Sequence, residues 1–225
     1  MEKNEALDKL FEEWQKNHSA YTNENFVKDG IINEELWNKA KKKVLFVLKE
    51  PNKYPNKYKG DFRKFVDSGP WRVVGYWAYG LQNTDDNTIP SFLEAKVNEN
   101  WRTACCSSAI MNLKKSPGGG ATENMEDLMQ AAKKDSKLIF KEIEIIRPDI
   151  VICGSTFKVC NEIRKLIMPF KDFQPIGPDK RCFSFQNAIW IDFYHPSAPF
   201  WHEKRYDDLM RFYQNCLKEL PRDLG

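Results

Sequence analysis

Short, uninterrupted apolar segments constrain the fold of this chain more than any other feature of its sequence. Residues 44–48 are VLFVL, residues 149–154 are DIVICG, and the segment 182–193 carries two β-like stretches that end in AIWIDF. A strand with one face in water alternates apolar and polar residues. These segments are apolar at successive positions, so we predict strands buried on both faces. The apolar residues 104–111 are predicted to form another such strand.

Helical patterns separate these strands. Apolar residues recur at spacings of three and four in the opening residues, between Glu126 and Ile146, in the segment that Ser155 and Thr156 could cap, and in the C-terminal segment. Alternating strands and helices predict an α/β fold with three layers, α/β/α, around a central, mainly parallel sheet of four strands. The 225 residues suit a single domain, with residues 1–43 as a helical extension at its N-terminus.

Composition excludes several classes of protein. The 15 Phe, 8 Tyr and 7 Trp residues argue against disorder, and no apolar segment approaches the roughly 20 residues that span a bilayer, so we expect no membrane partner. The charged N-terminal sequence MEKNEALDKLFEEW has no apolar signal region, which favours a cytoplasmic protein. With three histidines and no C-x-x-C pair among the six cysteines, we expect structural thiols, no metal site and no cofactor.

Positive charge is concentrated in one segment. Between Lys39 and Lys64 there are ten Lys or Arg residues and only two acidic ones, Glu50 and Asp61, whereas the whole chain has a net charge of +3. A local cationic patch on a chain that is acidic elsewhere predicts a polyanionic partner. By charge alone, a solvated lysine-rich face is an equally good interpretation.

Polar side chains follow each predicted strand. In an open parallel sheet, ligands bind beyond the carboxyl ends of the strands, so these side chains should meet at one edge. Together they supply a carboxylate, a carboxamide, two hydroxyls and an imidazole. The segments are residues 49–52 (KEPN), 112–117 (NLKKSP), 154–156 (GST) and 194–197 (YHPS).

In order and spacing, these segments resemble motifs of the uracil-DNA glycosylase superfamily. The strongest match is FYHPSAPFW at residues 193–201, since members carry His-Pro-Ser after the last strand of their sheet. Residues 49–52 occupy the place of the first motif, commonly GQDPY, GEAPG or GINPG. Residues 112–117 and 146–154 resemble segments of the thermostable bacterial and archaeal branch. That branch has four iron–sulfur cysteines, whereas no cysteine precedes Cys105 here, so we expect no cluster.

The resemblance implies a role for individual residues. His195 would donate a hydrogen bond to O2 of the leaving base, and Glu50 would position the attacking water. Asn112 would read the edge of the base, and Trp71, in GPWRVVG, would stack on it. Asn52 stands where other members carry a Gly, or a Tyr that excludes thymine, so the resemblance leaves the preferred base open.

A second group of residues would hold the DNA, single-stranded or damaged. Ser197 would bind a backbone phosphate, and Phe200 or Trp201 would fill the gap that the base leaves in the stack. Lysines would complete this surface: Lys49, Lys53, Lys114 and Lys115.

The residues and the resemblance together predict a DNA glycosylase that hydrolyses the N-glycosidic bond of uracil or a related damaged base. Such a base must flip out of the duplex, a carboxylate stabilises a sugar with oxocarbenium character, and imidazole stabilises negative charge on the leaving base. Two alternatives stay open. Lys49 stands where Gln or Glu is common, which favours a nucleic-acid-binding protein of the same fold without activity. The other alternative is a hydrolase of free nucleosides.

Overall fold

A computed structural model of the chain describes residues 2–52, 60–64, 70–118, 124–178, 180–199 and 201–220. These residues form nine helices, one short 3₁₀ turn and seven strands. The helices are α1 (Lys3–Asn17), α2 (Glu34–Lys39), α3 (Pro70–Asn83), α4 (Phe92–Lys96), α5 (Asn98–Cys106), α6 (Met125–Lys134), α7 (Ser136–Ile146), α8 (Phe157–Ile167) and α9 (His202–Glu219), and the turn is Phe62–Lys64. The strands are β1 (Gly30–Ile31), β2 (Val44–Leu48), β3 (Ala109–Asn112), β4 (Ile150–Gly154), β5 (Gln174–Pro175), β6 (Cys182–Phe185) and β7 (Ala188–Phe193).

All seven of these strands belong to one sheet, in the order β1-β3-β2-β4-β7-β6-β5. The four central strands, β3, β2, β4 and β7, run parallel, with Leu48 opposite Asn112 and Gly154 opposite Phe193 at their carboxyl ends. The outer strands are antiparallel to their neighbours. The prediction of an α/β fold is confirmed. The predicted count of four strands is wrong for the whole sheet, which adds the antiparallel strands β1, β5 and β6 to the four parallel ones. β1 and β5 have two residues each and leave no periodic pattern to detect.

Helices lie on both faces of the sheet. Successive residues of a strand point to opposite faces. Leu45 and Val47 of β2 therefore belong to a hydrophobic core that includes residues of α1, α6, α7 and α8. Val44 and Phe46 belong to a second core that includes residues of α3, α5 and α9. These two cores explain why a central strand is apolar at every position.

One predicted strand contains parts of two elements. The apolar residues 104–111 do not form a single strand: α5 continues to Cys106, and β3 begins at Ala109. A short apolar segment has no period that separates a buried strand from a buried helix. The strand is confirmed from Ala109 onward, and the first part of the prediction is wrong.

The helix predicted from Glu126 to Ile146 is two helices, separated at Asp135. The Asp135 carboxylate accepts a hydrogen bond from the Tyr21 hydroxyl at 2.9 Å, and it lies 2.6 Å from Nε2 of His18. Both partners belong to the N-terminal segment, so no pattern within the helical region itself could indicate the break.

The N-terminal residues are integrated into the fold. Four apolar side chains of α1 are buried in the core, and β1 pairs with β3. The predicted extension, residues 1–43, therefore contributes a helix to one face of the sheet and a strand to its edge.

One pair of cysteines is covalently bonded. Cys182 in β6 and Cys216 in α9 form a disulfide with Cα atoms 6.5 Å apart, and the other four cysteines are free thiols. The prediction of free thiols is wrong for this pair. The two residues are 34 positions apart, and nothing in the sequence indicates that a strand and a helix bring them together.

In the part of the chain that the structure describes, no helix has the length and apolar character needed to cross a membrane.

Candidate active site

The candidate site lies at the carboxyl edge of the parallel strands. β3 lies on one side of β2 and β4 on the other, so the strand order reverses between the ends of β2 and β4. Gly154 ends β4 at this point. A Cβ atom on this glycine would lie 2.9 Å from Leu48, 3.3 Å from Pro196 and 3.5 Å from Cα of His195. The glycine thus allows the ends of β2 and β7 to approach each other.

Thr156 strengthens the same junction. Its hydroxyl donates to the carbonyl of Val47 at 2.8 Å and so links the loop after β4 to β2. Thr156 precedes α8 but makes no side-chain cap. The predicted capping role of Thr156 is therefore wrong, because the hydroxyl has a partner across the sheet.

His195 follows β7 and has a defined tautomer. The backbone N–H of Ser197 donates to Nδ1 at 3.1 Å, and the Ser197 hydroxyl lies 2.6 Å from the same nitrogen. A backbone N–H can only donate, so Nδ1 is unprotonated and the ring proton is on Nε2. Burial, with a smaller contribution from the positive charge of Lys49, lowers the pKa of His195 to about 4. At neutral pH the ring is therefore an uncharged Nε2–H donor.

Glu50 follows β2 and contacts Lys114 and Gly118. Its side chain is 8% exposed, and Oε2 accepts a hydrogen bond from Nζ of Lys114 at 2.8 Å. Gly118 lies against the carboxyl group so closely that a Cβ atom there would overlap it. The backbone N–H of Lys114 donates to the carbonyl of Lys49 at 3.0 Å, which joins the loops after β2 and β3. The carboxylate is therefore held at the same edge as His195.

Lys49 adds positive charge to this edge. It is half-buried, and it directly follows Leu48, which lies beside Gly154 together with the backbone of His195. After burial, its positive charge is the second cause of the lowered pKa of His195. The site thus contains an uncharged donor, a carboxylate and two ammonium groups.

Lys115 does not face this site. Its ammonium group is fully buried between the carboxyl groups of Asp29, at 2.6 Å, and Glu142, at 2.7 Å, next to the rings of Phe11 and Trp14. Burial raises the pKa of Glu142 well above its ordinary value, and the positive charge of Lys115 acts in the opposite direction. The predicted DNA contact of Lys115 is wrong, because an ammonium group without exposed surface cannot reach a phosphate.

Asn112 shares this buried neighbour. It is 1% exposed, and its backbone N–H and its Nδ2 donate to Asp29 at 2.7 and 3.2 Å. Sequence reasoning missed Asp29, which precedes a two-residue strand and has no motif around it. Alternation along an extended segment is the signal that could have separated the neighbouring lysines, since Lys114 points to Glu50 and Lys115 to Asp29. Base reading by Asn112 stays a prediction.

The predicted aromatic contacts differ in exposure. Trp71 is 6% exposed and packs against Phe62, with ring centroids 5.4 Å apart. Its indole is part of the core, so the structure offers no open ring face of Trp71 for stacking on a base. Trp201 is 72% exposed and directly precedes α9. Of these two aromatic residues, only Trp201 presents a ring to solvent.

Four predicted site residues remain, and the structure describes two of them. Asn52 and Ser197 are exposed at the candidate edge, and the Ser197 side chain contacts the imidazole of His195. A phosphate contact of Ser197 stays a prediction. Lys53 and Phe200 lie outside the described residues.

The basic segment 39–64 does not form one surface. Lys39 to Lys43 precede β2 and Lys49 follows it, so five strand residues, about 16 Å, separate the two groups. Lys42 bonds to the carbonyl of Thr84. Arg63 at the other end of the segment is paired with two aspartates. The lysines before β2 therefore lie at the opposite edge from the candidate site.

Comparisons with known proteins identify no relative. No protein-family model matches the chain, and no curated protein matches it at a significant level. Within the described residues, no group of three or more His, Cys, Asp or Glu side chains is arranged to hold a metal ion. The chemistry of the site is therefore argued from Glu50, His195 and their neighbours.

Proposed function

We propose that this protein is a DNA glycosylase that hydrolyses the N-glycosidic bond of uracil or a related damaged base flipped out of DNA. One observation carries the proposal: a buried carboxylate, Glu50, and an uncharged Nε2–H donor, His195, lie at the same edge of the sheet, where its strand order reverses. The motif resemblance of residues 49–52 and 193–201 supports it.

The two groups suit the two partial charges of this reaction. As the glycosidic bond breaks, the sugar gains positive character and the base gains negative charge. The carboxylate of Glu50 stabilises the sugar and orients the water whose oxygen bonds to C1′. The Nε2–H of His195 donates to the oxygen of the base on which charge collects. A charged imidazole would lose its proton to that base, whereas the uncharged ring remains a donor throughout.

We also propose that the fold is a three-layer α/β/α domain whose four parallel strands carry the site. The proposed partner is a nucleic acid. Flipping a base costs a few kcal/mol, which contacts to the phosphates and an aromatic wedge offset. Trp201, which is exposed and follows the loop of His195 in the sequence, suits the wedge. The proposed location is the cytoplasm. Disulfides are uncommon there, so the state of Cys182 and Cys216 in protein alkylated directly in cells tests this part.

One observation favours the inactive binding protein as a second candidate. Lys114 and Gly118 close around the carboxylate of Glu50, which leaves little of it open to water. An ion pair that persists with substrate bound would prevent Glu50 from orienting a nucleophile.

An abasic-site assay separates these functions. The unchanged protein is incubated with oligonucleotides containing uracil, hypoxanthine or a mispair, single- and double-stranded, and abasic sites are cleaved with alkali. Cleavage that is lost in Glu50→Gln supports the glycosylase. DNA binding without abasic sites selects the binding protein. Hydrolysis of free nucleosides without DNA binding selects the nucleoside hydrolase.

A further inference from the structure

We propose that the amino edge of the parallel strands, opposite the candidate site, is the contact surface for a second copy of this chain. In the proposed dimer, the ring of Phe170 of each copy enters a cavity beside Trp190 of the other copy. The inference goes beyond the proposed function and does not depend on it.

Phe170 protrudes from a closed turn after α8, and it is 98% exposed. Pro169 and Phe170 are the central residues of this turn, and the backbone N–H of Lys171 donates to the carbonyl of Met168 at 3.1 Å across it. Proline at the first central position fixes φ and so limits the conformations of the turn. The backbone that carries this exposed ring is therefore ordered.

A buried arginine holds the base of the turn. Arg164 of α8 is 3% exposed, and its guanidinium donates to the carbonyl of Lys171 at 2.8 Å and pairs with the carboxylate of Asp172 at 2.7 Å. A single exposed apolar side chain is ordinary on a protein surface. An aromatic side chain on a fixed turn is different, because ordering the turn adds no cost when a partner binds. Phe170 therefore has the properties of an anchor residue of an interface.

A cavity of about 530 Å³ lies beside this turn. Lys171 lines the cavity, and Gln186, at its rim, donates to Sδ of Met168 at 3.3 Å. Phe170 does not line it, so this ring does not fill the cavity of its own chain. An apolar cavity suits an aromatic ring. The apolar lining residues are Ile143, Pro148, Phe185, Ala188 and Trp190.

The rim of the cavity carries charges of both signs. Glu144 and Arg147 come from the end of α7, and Lys171 comes from the turn after α8. Within the described residues, none of these three exposed side chains forms an ion pair in its own chain. A two-fold axis brings the same surface of both copies together, so that Glu144 of each copy lies against Lys171 of the other. A partner of one charge would oppose part of this rim with a like charge, whereas a second copy matches both signs.

The proposed contact leaves the candidate site open. Pro148 precedes β4 and Ala188 begins β7, so the cavity lies at the amino edge of these parallel strands. Glu50 and His195 follow β2 and β7 at the carboxyl edge. The dimer would therefore carry two candidate sites, both directed away from the contact.

The mass of the protein in solution tests the dimer. Small-angle X-ray scattering is measured up to about 1 mM protein, where a dimer with a Kd of about 1 mM is populated. We expect the unchanged protein to associate as its concentration rises, and Phe170→Ser to raise the Kd of the dimer roughly 30-fold or more. Leu93→Ser is the matched control, since Leu93 is a 73% exposed apolar side chain on α4, and this variant should associate like the unchanged protein.

Two results of this measurement would overturn the proposal. An unchanged protein that is monomeric at every concentration excludes a second copy as the partner, and the cavity would then serve a different ligand or none. A Phe170→Ser protein that associates as strongly as the unchanged protein would show that the dimer uses another surface.

An exchange of charges tests how the two copies are oriented. Glu144→Lys and Lys171→Glu each bring like charges together twice in a symmetric dimer, so each variant alone should associate more weakly. An equimolar mixture of the two variants should restore the dimer, because both of its contacts then join opposite charges. Circular dichroism first shows that each variant is folded. A mixture that associates no better than the single variants would overturn the two-fold arrangement, since Glu144 and Lys171 would not meet across the axis.

Discussion

The imidazole of His195 makes the stability of the folded protein depend on pH. Its pKa is lowered from 6.5 to about 4 in the folded protein, chiefly by burial. Between these values the unfolded chain binds a proton that the folded chain does not, so this group makes stability fall as the pH decreases from 6.5 toward 4. Above 6.5 its contribution is fully present. Tm measured from pH 4 to 7.5 should therefore depend less on pH in His195→Gln, and an unaltered dependence would contradict the burial of this ring.

The same residue carries the strongest prediction for activity. His195→Ala removes one hydrogen-bond donor from the leaving base, which typically costs roughly 10²–10³-fold in rate. Because that bond strengthens in the transition state, the Kd for DNA should change little. Glu50→Ala should behave in the same way. Single-turnover rates and DNA binding by anisotropy check both, and parental cleavage by a folded His195→Ala protein would show that the histidine is structural.

Two adjacent lysines provide a matched pair. Lys115→Met leaves the carboxylate of Asp29 buried without its cation, which should lower the free energy of unfolding by about 3–5 kcal/mol. Lys114→Met removes a partly exposed partner of Glu50 and should cost much less. Urea unfolding measures both. Equal losses in the two variants would contradict the difference in burial between the two ammonium groups.

At the residue scale, the sequence predicts which chemical groups follow each strand, but not their surroundings. Glu50 and His195 were identified because the carboxyl ends of parallel strands share an edge. The burial of Lys115 depends on Asp29 and Glu142, which come from distant segments. No local pattern contains that information, so a lysine beside the site and a lysine in the core have the same appearance.

At the scale of elements, burial on both faces was the most informative signal. It identified β2 and β4 because a doubly buried strand must be apolar at every position. The helical spacing of apolar residues did not locate the break at Asp135, because the partners of Asp135 come from the N-terminal segment. Burial on both faces did not identify β1, since two residues carry no period.

The disulfide between β6 and α9 leads to a prediction about the stability of the protein. A bond that closes a chain of 34 residues limits the unfolded ensemble, and the chain-entropy relation gives a stabilisation of about 3–4 kcal/mol. Cys216→Ala should lower the free energy of unfolding in urea by about that amount. The unchanged protein in excess dithiothreitol should match the variant, and Cys106→Ala, which removes a free thiol, is the control. A stability that neither the variant nor the reductant alters would show that the thiols are not bonded in solution.

At the scale of the whole molecule, the sheet divides a charge pattern that is continuous in the sequence. The basic segment spans β2, so Lys39 to Lys43 precede the strand and Lys49 follows it at the opposite edge. The sequence alone does not separate these two groups of lysines and predicts a single cationic patch. Among the described lysines of the segment, Lys49 directly follows β2 on the side of Glu50 and His195, so we expect the two halves of the segment to contribute differently to DNA binding.

Salt dependence of binding tests this division. Each phosphate contact on duplex DNA adds about 0.9 to the slope of log K against log salt, and about 0.7 on a single strand. Charge reversal of Lys57 and Lys59, which follow β2 outside the described residues, should abolish tight binding at low salt and reduce the slope. The equal reversal of Lys39 and Lys41 should leave both nearly unchanged, because these lysines precede β2 and the length of the strand, about 16 Å, separates its two ends. Anisotropy titrations between 50 and 200 mM salt measure the slopes. Equal effects of the two reversals would show that net charge, rather than its position relative to the carboxyl edge, controls the affinity, and the segment would then be an ordinary solvated face.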